Sequence, residues 1–354
     1  MPRPIRILVA TIVVAVLIVM ATQWRIWQTG RVPQDPFELV SGGPEHSPPG
    51  RIWIDTDAAC GAADRADPDD CFAFLWLVLQ SADIAGVSTS FGNASGDVVT
   101  ERLAALSAKM LQDGLPVPPI FRGYGEPRDA GAVLPPGVTA VQSALEAGPL
   151  TILALGPLTN IAAALDGRPD LHGNVSRIVA VMGHQPGHLF HPTEGGGTGA
   201  ILGHGPIFRD LNLSSDPDAA GMVLAMHLPL TLIPYDAAKG TLITGPDLDL
   251  LASRSRSHAW VAKTSRDWLA FWNADIGLPG FYPFDWVAAA YLTHPKMFDC
   301  ANVTARVGRE WAFWLLPRTS LLVENSVPTQ DDDALPILYC PVASPRLHDL
   351  LFAP

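Results

Sequence analysis

Basic residues are scarce in this 354-residue chain: 23 Lys and Arg stand against 35 Asp and Glu, a formal charge of −12. Phosphate backbones are gripped by clustered Lys and Arg, so this balance argues against nucleic acid as a partner. Cysteine is equally sparse. Cys60, Cys71, Cys300 and Cys340 contain no C-x-x-C pair, which argues against a zinc knuckle. They leave open the disulfides Cys60–Cys71 and Cys300–Cys340 in an oxidising compartment, or buried thiols elsewhere. Blocks of like charge and internal repeats are also missing, which removes charged tails and solenoids from consideration.

What is present is apolar. Hydrophobic residues make up 48% of the chain and ten of them are tryptophan, enough for a substantial core and too many for disorder. Near the start, Ile7 to Thr22 forms a charge-free run of sixteen residues, preceded by Arg3 and Arg6 and followed by Trp24 and Trp27. A bilayer span needs about 20 apolar residues, with a minimum near ~17. With Gln23 and Trp24 as an interfacial end, residues 1–27 therefore read as a short membrane anchor, a cleaved signal segment being the alternative. Either reading places the main domain outside the cytoplasm. Residues 28–50 are rich in Pro and Gly without periodicity and read as a linker, which leaves 51–354 as the functional domain.

From Arg51 onward, short apolar runs alternate with helical patterns. Candidate strands are Arg51–Thr56, Ile84–Ser90, Leu150–Leu155, Arg177–Met182 and Leu228–Ile233; candidate helices are Cys71–Gln80, Val98–Asp113, Pro157–Leu165 and Asp216–Met226. This alternation predicts an α/β fold, an open and mostly parallel sheet flanked by helices. The Trp-rich stretch Leu248–Leu292 reads as a largely helical part that closes a pocket.

Acidic residues gather at the carboxyl end of the first strand, where open α/β sheets bind ligands. Asp55 and Asp57 end that strand, and Asp67-Pro68-Asp69-Asp70 opens the next helix. An N-cap, a first-turn proline and dipole-stabilised carboxylates explain the second group without any ligand. They do not explain Asp55 and Asp57. Carboxylates crowded together need a cation, and an all-oxygen set suits a hard divalent one. Other strand ends carry similar signals: Asn93 after Gly92, the carbonyl of Leu155 before Gly156-Pro157, Asp210 and Asn212 before a helix, and Phe284-Asp285 before another. Each alone reads as a cap or a turn; together they read as a polyol site with a metal.

These segments resemble the inosine-uridine-preferring nucleoside hydrolase family. The resemblance rests on Asp55-Thr56-Asp57 with Asp69-Asp70, Ser88 to Asn93, Leu153 to Ala162, Ile178 to Gly183, Asp210 to Asn212 with Asp216 to Ala220, and Phe284-Asp285 with Ala288 to Leu292. It implies a calcium ion held by Asp57, Asp70, the Leu155 carbonyl and Asp285, with sugar hydroxyls gripped by Asp69, Asn93, Asp210 and Asn212. It implies hydrolysis of the N-glycosidic bond of a ribonucleoside, with purine as one candidate base and Asp57 taking a proton from water. Homo-oligomers also occur in the family. A sugar-recognising calcium domain without turnover, or a hydrolase of another ribosyl compound, remain alternatives.

Three departures stand out. Eleven residues, Ala58 to Pro68, separate Asp57 from Asp69, far more than the family pattern has, and this insertion either loops outward or reshapes the pocket mouth. Phe284 stands where the pattern has a histidine that protonates the leaving base; it could act instead by stacking. His204 stands where the pattern has asparagine and is a candidate proton source, and Asp210 replaces a glutamate of longer reach.

Overall fold

Five consecutive buried residues, Ile52 to Thr56, require cover on both faces and partners on both edges, and the computed structural model puts them mid-sheet. Residues 3–29, 37–41, 50–63, 65–128, 133–184, 209–312, 316–325 and 337–352 are described. The strands are β1 (Ile52–Thr56), β2 (Ile84–Thr89), β3 (Ile120–Arg122), β4 (Leu150–Ala154), β5 (Val175–Val181), β6 (Leu230–Ile233), β7 (Ile243–Thr244), β8 (Gly280–Phe281), β9 (Phe298–Ala312), β10 (Leu316–Asn325) and β11 (Ile337–Ala343). All but β7 and β8, which pair with each other, join one nine-stranded sheet of order β10-β9-β11-β6-β5-β4-β1-β2-β3. The pairs from β3 through β6 to β11 are parallel, and β9 runs antiparallel to both its neighbours.

The helices are α1 (Arg3–Thr29), α2 (Asp69–Leu79), α3 (Gly96–Gln112), α4 (Pro136–Glu146), α5 (Thr159–Leu165), α6 (Pro169–His172), α7 (Leu211–Ser215), α8 (Pro217–Ala225), α9 (Gly245–Ala252), α10 (Arg256–Thr264), α11 (Arg266–Phe271), α12 (Phe284–Thr293) and α13 (Leu347–Phe352). Strand side chains alternate between faces. Ile52, Ile54 and Leu153 accordingly pack with α2, α3 and α12 in one core, while Trp53, Ile152 and Ala154 pack with α4, α5 and α8 in the other. The expected strand–helix alternation is therefore present, and Leu248–Leu292 is largely helical. Two features were not anticipated. β3 and α4 fill the stretch between α3 and β4, and the last part of the chain adds three long strands, β9 to β11, to the sheet.

The membrane-anchor reading is corrected. Among the described residues, no helix is long and apolar enough to cross a membrane. α1 has 27 residues, but the apolar run within it, Ile7 to Thr22, has only sixteen. At about 1.5 Å per residue that run reaches roughly 24 Å, short of a hydrocarbon core of about 30 Å. The membrane-tethered location that depended on it goes with it. Within the stretch read as linker, residues 37–41 dock: Phe37 is buried with its ring 5.3 Å from Tyr339, and Val40 exchanges backbone hydrogen bonds with Cys300.

Both cysteine pairs are disulfides. Cys300–Cys340 ties β9 to β11 across 40 residues of chain. A closed loop of that size restricts the unfolded chain, and its loss typically costs about 2–4 kcal/mol. Urea unfolding of the Cys300→Ala/Cys340→Ala variant should give a stability lower by that amount; an unchanged midpoint would show that the strand pairing alone fixes this edge.

Candidate active site

The site is built where parallel strands end. Asp57 follows β1 by one residue, Gly92-Asn93 lies beyond β2, and Leu155-Gly156 follows β4 directly. Asp70 and Asp285 arrive from the first turns of α2 and α12. Those two helices are held together partly by Trp76 against Trp286, ring centroids 5.5 Å apart. Their shared packing brings both helix N-termini, each a partial positive charge, to the same point.

Asp57, Asp70 and Asp285 each offer a carboxylate oxygen within 4.8 Å of the other two, and all three are buried. The backbone here approaches so closely that side chains are excluded. Gly92 has φ +149°, and a Cβ on it would fall 1.8 Å from Asp57 Oδ2. One on Gly156 would come within 3.1 Å of Asp57 Cγ. The space opened at Gly92 lets the Asn93 backbone N–H donate to Asp57 Oδ2 at 2.8 Å. The Thr56 hydroxyl donates to Asp70 Oδ1, and the Asp285 N–H donates to Asp69 Oδ2 at 3.0 Å.

These bonds do not neutralise the charge. Burial first, and the neighbouring carboxylates second, push Asp57 and Asp285 well above the usual carboxylate range. Burial and Asp69 push Asp70 up to about 6, against the hydrogen bond from Thr56. The donor set fits a hard divalent cation. Oxygens about 2.4 Å from a calcium ion lie within about 5 Å of one another, which is the spacing seen among these three.

A cavity of about 210 Å³ opens beside the cluster, and Asp285 belongs to both. Part of its wall is polar, with Asp67, Asp69, Asn93, Arg209 and Asn212; another part is aromatic, with Tyr235, Trp268, Phe271, Trp272 and Phe284, and Leu155 also lines it. Phe284 packs edge-on to Tyr235 at 4.9 Å. The Asn212 amide donates to the carbonyls of Leu155 at 2.7 Å and Val181 at 2.8 Å, which ties two strand ends together. A carbonyl has a second lone pair, so Leu155 keeps acceptor capacity.

Most of the residues singled out from sequence thus meet in one place: Asp57, Asp69, Asp70, Asn93, Leu155, Asn212, Phe284 and Asp285. Asp210 does not line the cavity. It caps α7 by accepting from Leu213 N at 3.0 Å and takes the Gly183 N–H at 2.7 Å, which places it at the end of β5 beside Asn212. His204 lies outside the described residues. Asp67, read from sequence only as part of the acidic group, lies on the cavity wall; Arg209 and Tyr235 on that wall were given no role, and neither was Asn160. That side chain donates to Asp55 Oδ1 at 2.7 Å and to the Thr89 carbonyl at 3.0 Å, and accepts from Tyr124 N at 2.9 Å. Asp55 therefore braces the strands behind the site.

Comparison with known proteins agrees with this geometry. A protein named probable uridine nucleosidase 1 from Oryza sativa subsp. japonica is 25% identical over 286 residues, 73% of this chain and 81% of its own. The pyrimidine-specific ribonucleoside hydrolase RihA of Shewanella oneidensis is 25% identical over 261 residues, 66% of this chain and 77% of its own. Among solved structures, the plant nucleoside hydrolase PpNRh1 superposes with a TM-score of 0.66 at 19% identity, covering 87% of this chain and all of that one. The family model described as inosine-uridine preferring nucleoside hydrolase matches residues 52–314, the span that carries the carboxylate cluster and the cavity, and the chain belongs to that family.

Proposed function

We propose that this nucleoside hydrolase cleaves the N-glycosidic bond of ribonucleosides in a calcium-dependent reaction, with Asp57 as the base that takes the proton of the attacking water. The observation that supports it most is the juxtaposition of three buried carboxylates with a cavity that is polar on one part of its wall and aromatic on the other. Asp57, Asp70, Asp285 and the Leu155 carbonyl would hold the ion. Calcium bound there would orient a water, lower its pKa and draw in the ribose hydroxyls.

The protein's own groups do the rest. Breaking the C–N bond develops positive charge on the ribose, which the assembled carboxylates favour electrostatically. Asp69, Asn93 and the Asn212 carboxamide oxygen face the sugar. Asp57, fixed by the Asn93 N–H, is positioned to accept a proton from water as oxygen bonds to the anomeric carbon. The electron pair of the broken bond leaves with the base. Phe284 has no proton to give, so in this reading it supplies a stacking face together with Trp272, 6.4 Å away. A wall of aromatic rings favours the larger face of a purine; the names of the Oryza and Shewanella relatives favour uridine and pyrimidines as the second reading.

A panel of inosine, adenosine, guanosine, uridine and cytidine, followed by release of free base and reducing sugar, tests the reaction. Turnover should vanish with a calcium chelator, return with calcium, and fall by about 10²–10⁴-fold in Asp57→Asn. Nucleoside-dependent thermal stabilisation without any product would instead make this a binding domain.

The cluster, together with Asp55 behind it, sets a pH dependence of stability. Burial raises Asp55 to about 7 and Asp70 to about 6, above the unfolded carboxylate value near ~4. The folded state therefore binds these protons more tightly than the unfolded state. The resulting stabilisation is complete below about pH 4 and is lost as pH rises through 6 and 7. Asp113, held low by its bonds to Ser257, and Asp236, held low by His184, act in the opposite sense, and their contribution is already complete above about pH 4. The melting temperature of the chelated protein should thus fall between pH 5 and 8, and saturating calcium should reduce that fall. A flat profile in chelator would mean the carboxylates are not crowded without a counter-ion.

A further inference from the structure

The insertion Ala58–Pro68 is fastened at both ends. Cys60, three residues past Asp57, is disulfide-bonded to Cys71, one residue past Asp70, and both cysteines are fully buried. Between them the loop runs over the helical part of the domain. Gly61, at φ +67°, is seated against α10 so closely that a Cβ would lie 2.7 Å from Thr264 Cγ2. Arg65 then places its guanidinium 4.9 Å from the centroid of the Phe271 ring and 3.3 Å from Asp275 Oδ2. Asp67 returns to the cavity wall and accepts from Asp69 N at 3.3 Å.

What Arg65 holds is the aromatic wall. Phe271 ends α11, a helix of six residues, and Asp275 sits in the wide turn Trp272–Ile276 that follows. Short elements of this kind have little hydrogen-bonded structure of their own to fix them. From Phe271 the rings touch in series: Trp268 at 5.2 Å, Trp272 a further 6.2 Å on, and Phe284 6.4 Å beyond that. Phe284 is the neighbour of Asp285 in the carboxylate cluster. One exposed cation thus grips both ends of the segment whose rings line the cavity.

We propose that the disulfide-anchored insertion is the outer clamp of the nucleobase pocket, with Arg65 as a positioning residue that fixes the aromatic wall against which a planar base stacks. It extends the nucleoside-hydrolase reading above and rests on it for the identity of the ligand. Arg65 touches neither the carboxylates nor Leu155, so its removal loosens the base and leaves the chemistry at the cluster in place.

The test uses the full chain with both disulfides formed. In Arg65→Ala, KM for the nucleosides of the panel should rise about three- to tenfold, the loss expected for one exposed cation–π contact and one surface ion pair, while kcat stays within about twofold. Arg65→Lys keeps the charge but not the planar fork and should fall between. Amide hydrogen exchange should accelerate over residues 266–277 in Arg65→Ala and in Cys60→Ser/Cys71→Ser, and stay unchanged in β4. A KM and an exchange pattern both unmoved by Arg65→Ala would overturn the clamp while leaving nucleoside hydrolysis intact. If the wild type turns over no nucleoside yet exchange over 266–277 responds, the assigned reaction fails and the clamp stands; if exchange does not respond either, both fail.

Discussion

Three carboxylates buried within reach of one ion dominate this molecule. Two like charges about 4 Å apart repel by about 4 kcal/mol even at an effective dielectric of 20. Three of them, removed from water, are tolerable only if something opposes the charge. The protein supplies partial opposition: the N-terminal ends of α2 and α12, the Thr56 hydroxyl at Asp70 and the Asn93 N–H at Asp57. These are dipoles, and they orient carboxylates better than they neutralise them. The raised proton affinity of Asp57, Asp70 and Asp285 records the remainder. A divalent cation removes that remainder in one step, which is why the cluster makes chemical sense as a metal site and little sense as a structural one.

The fold around the cluster follows from the need to bring it close. Gly92 and Gly156 are glycine because Asp57 occupies the space their side chains would fill. Behind them, a buried network fixes the strand ends in register. The indole of Trp53 donates to Ser88 Oγ at 2.8 Å, Ser88 donates to Asp55, and Asn160 joins Asp55 to the β2 carbonyl of Thr89. Asn212 does the same for the ends of β4 and β5. Carboxylates placed on loose loops would move apart under their own repulsion. Placed on braced strand ends and on the first turns of two packed helices, they cannot.

How much of this was legible in the sequence depended on range. Asp57, Asp70 and Asp285 stood out because strand ends and helix starts leave local signatures, and because their order matched a known pattern. The sheet's parallel centre was legible for the same reason: β1, β2, β4, β5 and β6 are short apolar runs bounded by turns. β9 was not, since its partly exposed face breaks up the apolar run, and its place is fixed by antiparallel pairing with β10 and β11. Asp210 shows the ambiguity of such signatures, because a helix cap and a sugar ligand have the same residue type at the same position, and here it caps α7. The sixteen-residue run of α1 carried the apolar character of an anchor without its length. Arg65 gave no signal at all, because its partners, Phe271 and Asp275, lie 206 and 210 residues away and only the fold joins them.

The exchange of a histidine for Phe284 bears on what kind of selectivity such a pocket can have. Phe284 and Asp285 are consecutive in the first turn of α12, so one turn brings an aromatic ring to the cavity wall and a carboxylate to the acidic cluster. A site that reads a base by buried hydrogen bonds rejects the wrong one strongly, because unmatched polar groups are left without partners. A site that reads it by ring stacking discriminates by area and shape, and an apolar pocket separates close analogues by only about 1–3 kcal/mol. With Phe284, Trp272, Trp268, Phe271 and Tyr235 forming the aromatic part of the wall, this cavity is of the second kind. For the proposed substrate, such a wall would leave strictness to the sugar, whose hydroxyls would meet fixed oxygens, and tolerance to the base. That division fits a family whose members carry names that differ in the base, from pyrimidine-specific to purine-preferring.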